Sequence, residues 1–67
     1  MSLGNQLVSK LSKRELQIAH LIVEGKTTSF IAMNLGIKSN TVSTIKKRAY
    51  TKLNVTTDID LYKLIAQ

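Results

Sequence analysis

Sixty-seven residues make room for one small domain, and the absence of cysteine with a single histidine, His20, excludes disulfides and zinc cages as its stabilisers. Ten Lys and Arg against four Asp and Glu give a net charge of +6, which favours a polyanionic partner. No apolar run nears the ~18 residues of a membrane span and no signal-peptide pattern opens the chain, so the expected location is the cytosol.

Residues 1–8 read as a lead-in or linker, beginning with an expression-style Met1-Ser2-Leu3, and residues 9–67 as the domain. Proline is absent, and the apolar positions recur at helical spacing. Ser12-Lys13-Arg14-Glu15 has the form of a capping box, in which hydroxyl and carboxylate each satisfy a free amide. Ile18, Ala19, Leu21 and Ile22 follow as an inward face, and Gly25 stops the helix. His20 beside this face reads as a partly exposed structural residue rather than a pH switch.

A short second helix is expected to be capped by Thr27 or Thr28, to point Ile31 and Leu35 inward, and to end at Gly36. Ser39 or Asn40 then caps a third helix that runs to about Leu53. Val55 is expected as a buried plug. Thr57 caps a fourth helix with Ile59, Leu61, Tyr62, Leu64 and Ile65. The fold class is therefore all-α, with four helices.

Helices two and three have a specific relation. Ala32 is small enough for close approach, and Gly36 permits positive φ at the corner. Ile31, Leu35, Ile37, Val42 and Ile45 would fill the wedge between them. That arrangement is a helix-turn-helix.

The third helix carries the functional signal. Half of all Lys and Arg fall between Lys38 and Lys52, where no acid occurs. At about 100° per residue, Val42, Ile45, Ala49 and Leu53 form an inward stripe. Asn40, Thr44, Lys47 and Thr51 point the other way, flanked by Ser43 and Arg48. Hydroxyl, amide and ammonium groups on one ridge suit base edges in a major groove. Asn40, Ser43, Thr44 and Lys47 are the expected base readers. Lys46, Arg48 and Lys52 lie nearer the margins and suit phosphate. Ser39 and Thr41 at the start of the third helix, and Thr28 at the start of the second, could assist a phosphate at free amides. Simple capping explains Ser39 and Thr28 equally well.

These residues resemble the LuxR-type (NarL/GerE-type) helix-turn-helix domain of bacterial response regulators and quorum-sensing regulators. The matching motifs are LSKRE at 11–15, EG at 24–25, IA at 31–32, TVS at 41–43 and KLNV at 52–55. The resemblance implies a tetrahelical fold whose third helix enters the major groove of double-stranded DNA. It implies base contacts from Ser43, Thr44 and Lys47 and backbone contacts from Thr41, Lys46 and the start of the second helix. It also implies a homodimer through the fourth helix, where Ile59, Tyr62 and Ile65 are the expected interface. A bacterial cytoplasmic setting follows, with RNA polymerase as a further candidate partner. No cofactor and no metal are expected.

Three positions depart from the family pattern. Phe30 stands where glutamate is common before the Ile-Ala pair, Asp58 where arginine is frequent, and Ile45 where histidine is frequent. Phe30 reads first as core and otherwise as an exposed protein contact. No carboxylate, histidine and serine set resembles a nucleophile with its base, so no enzyme is expected. Two rivals remain: a sigma-factor promoter-recognition domain, and a protein-interaction module that reuses the fold.

Overall fold

The computed structural model describes residues 7–65, so residues 1–6, most of the expected lead-in, and residues 66–67 lie outside the described part. Among the described residues, after helical residues 7–8, four complete α-helices follow in order: α1 Lys13–Val23, α2 Thr28–Leu35, α3 Ser39–Leu53 and α4 Asp58–Ile65. No strand occurs among the described residues.

Side chains start three of these helices as the sequence requires. At α1 the Glu15 amide donates to Ser12 Oγ at 3.2 Å, and the Ser12 amide donates to Glu15 Oε1 at 2.8 Å. Thr27, not Thr28, caps α2 by accepting from the Phe30 amide at 3.1 Å. Thr57 caps α4 by accepting from the Asp60 amide, also at 3.1 Å. The third helix differs from expectation. Its N-cap is Lys38, with no side-chain hydrogen bond. Ser39 and Asn40 lie inside the first turn, because the chain already takes helical dihedrals directly after the extended Lys38.

Three helices end in the same hydrogen-bond pattern. Lys26 donates to the Leu21 carbonyl and Gly25 to that of Ile22. Ile37 and Gly36 repeat the pattern on Ala32 and Met33, and Val55 and Asn54 repeat it on Tyr50 and Thr51. These are Schellman endings, each needing one left-handed residue. Gly25 and Gly36 supply it at two (φ +87° and +68°) and Asn54 at the third (φ +58°). A side chain added to Gly36 would meet nothing within 4 Å, so its requirement is conformational rather than steric.

Two joined cores result. Ile18, Ile31, Ala32 and Val42 pack between α1, α2 and α3, with Leu21, Leu35, Ile37 and Ile45 around them. Ala19, Tyr50, Leu53 and Leu61 pack between α1, α3 and α4, with Val23, Leu64 and Ile65 around them. Ile22 touches both. Leu7 and Val8, which lie before the expected domain start, are half-buried against the second core. Val55 packs there too but is only partly buried, less of a plug than its sequence position suggests. The core reading of Phe30 is overturned. Phe30 is 40% exposed on α2, and its ring lies under the Lys26 ammonium, 5.1 Å from the centroid. The positions beside it, Ile31 and Ala32, already fill the wedge.

One ion pair braces the cores. Glu15, only 5% exposed, accepts from Lys52 Nζ at 2.7 Å across 37 residues of sequence. A buried carboxylate is costly unless its charge is met, and here the lysine and the Ser12 amide meet it. The Lys52 hydrogen bond, then the Ser12 amide, holds the Glu15 carboxyl below its ordinary range.

Gly36→Ala should destabilise the domain by about 1 kcal/mol, since alanine resists the left-handed corner; urea melts give the value. Glu15 contributes stability that is present above its unfolded pKa and lost as pH falls through the depressed folded one. Urea midpoints of wild type and Glu15→Gln should therefore differ most near neutral pH and converge below about pH 4. A gap that stays constant into acid would contradict the ionised brace.

Candidate nucleic-acid interface

The burial of Val42, Ala49 and Leu53, each at 1% exposure or less, sets how α3 is rotated about its axis. The opposite face follows by helical geometry. Asn40, Ser43, Thr44, Lys47, Arg48 and Thr51 are all exposed. The structure brings these six together as one ridge that carries no acid.

Individual side chains are less free than their exposure suggests. The Thr44 hydroxyl donates to the Asn40 carbonyl at 3.0 Å, one turn earlier. That bond uses its hydrogen, so the group can offer a partner only its lone pairs and its methyl. Lys46 is half-buried. Its ammonium lies 3.1 Å from Asp58 Oδ1 and 5.3 Å from the centre of the Tyr50 ring. Lys52 is tied to Glu15. Among the described residues, the ion pairs engage Lys46 and Lys52 and leave Lys47 and Arg48 without a carboxylate.

Ser39 and Thr41 are exposed in the first turn of α3. Because Lys38 provides no side-chain acceptor, the first amides of this helix keep their donors. Thr28 is half-buried at the first position of α2 and is relieved of capping by Thr27.

Tyr50 lies on the inward side of α3, against the second core. Its ring is buried, but its hydroxyl donates to Asp58. Burial first, then that bond, raises the Tyr50 pKa, while the tyrosine bond and then Lys46 lower that of Asp58. Sequence reasoning missed this Lys46–Asp58–Tyr50 cluster. The available signal was the departure at Asp58 and the one-turn spacing of Lys46 and Tyr50. The cluster borders an open groove lined by Ser43, Lys46, Lys47, Tyr50, Thr51, Val55 and Thr56. Nothing local in the sequence signals the Glu15–Lys52 pair.

The expected interface residues of α4 separate. Ile59 and Tyr62, one turn apart, are 67% and 55% exposed. Ile65 turns inward and is half-buried against the second core, beside the fully buried Leu61. Among the described residues no group of three or more His, Asp or Glu could hold a metal, and no helix is long and apolar enough to cross a membrane.

Comparison with known proteins agrees with this architecture. Residues 9–65 match the family described as bacterial regulatory proteins, luxR family. BvgA of Bordetella pertussis, named for positive transcription regulation of virulence factors, is 40% identical over 58 residues, covering 87% of this chain and 28% of that protein. The DNA-binding transcriptional activator EvgA of Escherichia coli K12 is 39% identical over 57 residues, covering 85% of this chain and 28% of EvgA. The chain thus spans less than a third of the length of these relatives. No solved structure gives a significant match. With a family match over nearly its whole length and four helices in the arrangement the motifs demand, the chain belongs to the luxR family of bacterial regulatory proteins as a helix-turn-helix domain.

Proposed function

We propose that this domain binds double-stranded DNA with α3 in the major groove and serves as the DNA-reading part of a transcription regulator. The regulatory role follows from the family. The observation that carries the groove assignment is the acid-free exposed ridge of α3, set opposite a fully buried stripe on the same helix. Lys47, without a carboxylate partner, is long enough to reach guanine O6 or N7. Asn40 and Ser43 supply amide and hydroxyl groups to base edges. Thr44, with its hydrogen committed to Asn40, suits a base amine or a thymine methyl. Lys46, Arg48 and Lys52 face the phosphates, and the uncapped α3 amides with Ser39 and Thr41 take another. Thr28 plays the equivalent part at α2.

The proposed assembly is a homodimer through α4. Ile59 and Tyr62 present apolar surface that the monomer leaves exposed. Two copies on a two-fold axis would place two α3 helices on half-sites about one turn of DNA, 34–36 Å, apart or multiples of that. RNA polymerase is the further partner proposed for such a regulator.

Selection of duplexes from a random pool tests the reading, since it yields the site, its symmetry and its spacing together. Enrichment of no sequence would leave specific recognition unsupported. Once a site is known, Lys47→Ala should weaken it by about 1–3 kcal/mol and relax preference at one position, and Lys46→Ala should weaken all duplexes alike. Equal, sequence-blind losses from both would reassign Lys47 to phosphate. Ile59→Asp should shift the protein to monomer in sedimentation on DNA and lower affinity for a two-half-site duplex more than for a single half-site.

A further inference from the structure

The two lysine–carboxylate pairs beside the ridge differ in kind. Glu15 keeps 7% of its side chain exposed and is bound by a second donor, the Ser12 amide, so its hold on Lys52 is part of the core. Asp58 has 63% of its side chain exposed and Lys46 has 30%. Exposed pairs of this sort contribute little to stability and exchange partners readily. Asp58 nonetheless has a second tether, because the hydroxyl of a buried tyrosine, Tyr50, donates to it. The result is a doubly held carboxylate at the edge of a groove walled by Lys46 and Lys47. It occupies the ammonium of Lys46 much as a phosphate oxygen would.

We propose that Asp58 is a built-in competitor for the phosphate contact of Lys46 and so tempers the sequence-blind part of DNA binding. This rests on the placement of α3 in the groove. When the domain docks, Lys46 must leave or share Asp58, and the carboxylate then lies beside the DNA backbone with its charge unmet. A solution cation is retained there, so fewer cations are released than the number of lysines on the ridge would give. The same cost applies to every sequence, because phosphate is present in all of them. Asp60, two residues on, is a natural comparison. It hydrogen-bonds to Thr56 and to the Thr57 cap region, and it forms no ion pair among those of the described residues.

Fluorescence anisotropy with a labelled random-sequence duplex, titrated across salt, tests the proposal. Asp58→Asn keeps an oxygen for the Tyr50 hydroxyl while removing the charge. It should bind about three- to tenfold more tightly at fixed moderate salt, and log K against log salt should steepen by up to about 0.9. Asp60→Asn should change both much less. Lys46→Ala should cost more in the Asp58→Asn background than in wild type, a coupling that a double-mutant cycle reads directly. Helical content by circular dichroism confirms that each variant is folded, and Asp58→Glu, which keeps the charge, should bind as wild type does.

Folded Asp58→Asn with unchanged affinity and slope, while wild type binds duplex, would overturn the competition and leave the DNA reading intact. A gain as large from Asp60→Asn would also overturn it, by showing a general charge effect. Failure of wild type to bind any duplex at low salt would remove the DNA reading and this proposal together.

Discussion

The rotation of α3 is the constraint on which the rest depends. Val42, Ala49 and Leu53 are buried against α1, α2 and α4, and Tyr50 closes the same side. Burying an aliphatic side chain is worth about 1.5–3 kcal/mol, and exposing this stripe would forfeit several such terms at once. A helix has only one way to satisfy it. The ridge of Asn40, Thr44 and Lys47 is therefore turned to solvent by the packing of residues that are themselves buried. The close approach of α2, allowed by Ala32 and by the left-handed corner at Gly36, keeps that ridge at the front of the molecule.

The basic face is less uniform than a count of lysines implies. Lys52 serves the fold, because a buried Glu15 needs its charge. Lys46 stands between an aspartate, a tyrosine ring and the groove. Lys47 and Arg48 have no carboxylate partner among the described ion pairs. Cations with such different neighbours differ in how readily they can be given to a phosphate or a base. Backbone contacts position a protein on DNA and base contacts specify the sequence, so this division bears on both.

A polar surface on one side of the domain is balanced by apolar groups left elsewhere. Ile59 and Tyr62 on α4, and Phe30 with Met33 on α2, remain exposed in the monomer. The α4 pair sits on the helix for which the family resemblance implies dimerisation. Phe30 is sheltered on one side by the Lys26 ammonium, a cation over an aromatic face.

Much of the fold was legible in the sequence because its signals are local. The capping box at Ser12 and Glu15, the Thr57 cap, the two glycine corners and the 3.6-residue apolar period each act within about one helical turn. Their agreement defined four helices and the inward faces of α1 and α3. The start of α3 misled, since Ser39 and Asn40 are both good caps and the chain begins its helix one residue earlier, after Lys38. Phe30 misled because hydrophobicity alone does not say which side of a short helix is already filled. What only the tertiary structure decided were contacts between residues far apart in the chain: Glu15 with Lys52, Asp58 with both Lys46 and Tyr50, and Ile65 against the second core. Charge pairing depends on distance in space, which packing sets and sequence spacing does not. The composition of α3 thus named a basic helix, and the folded chain determined which of its cations are free.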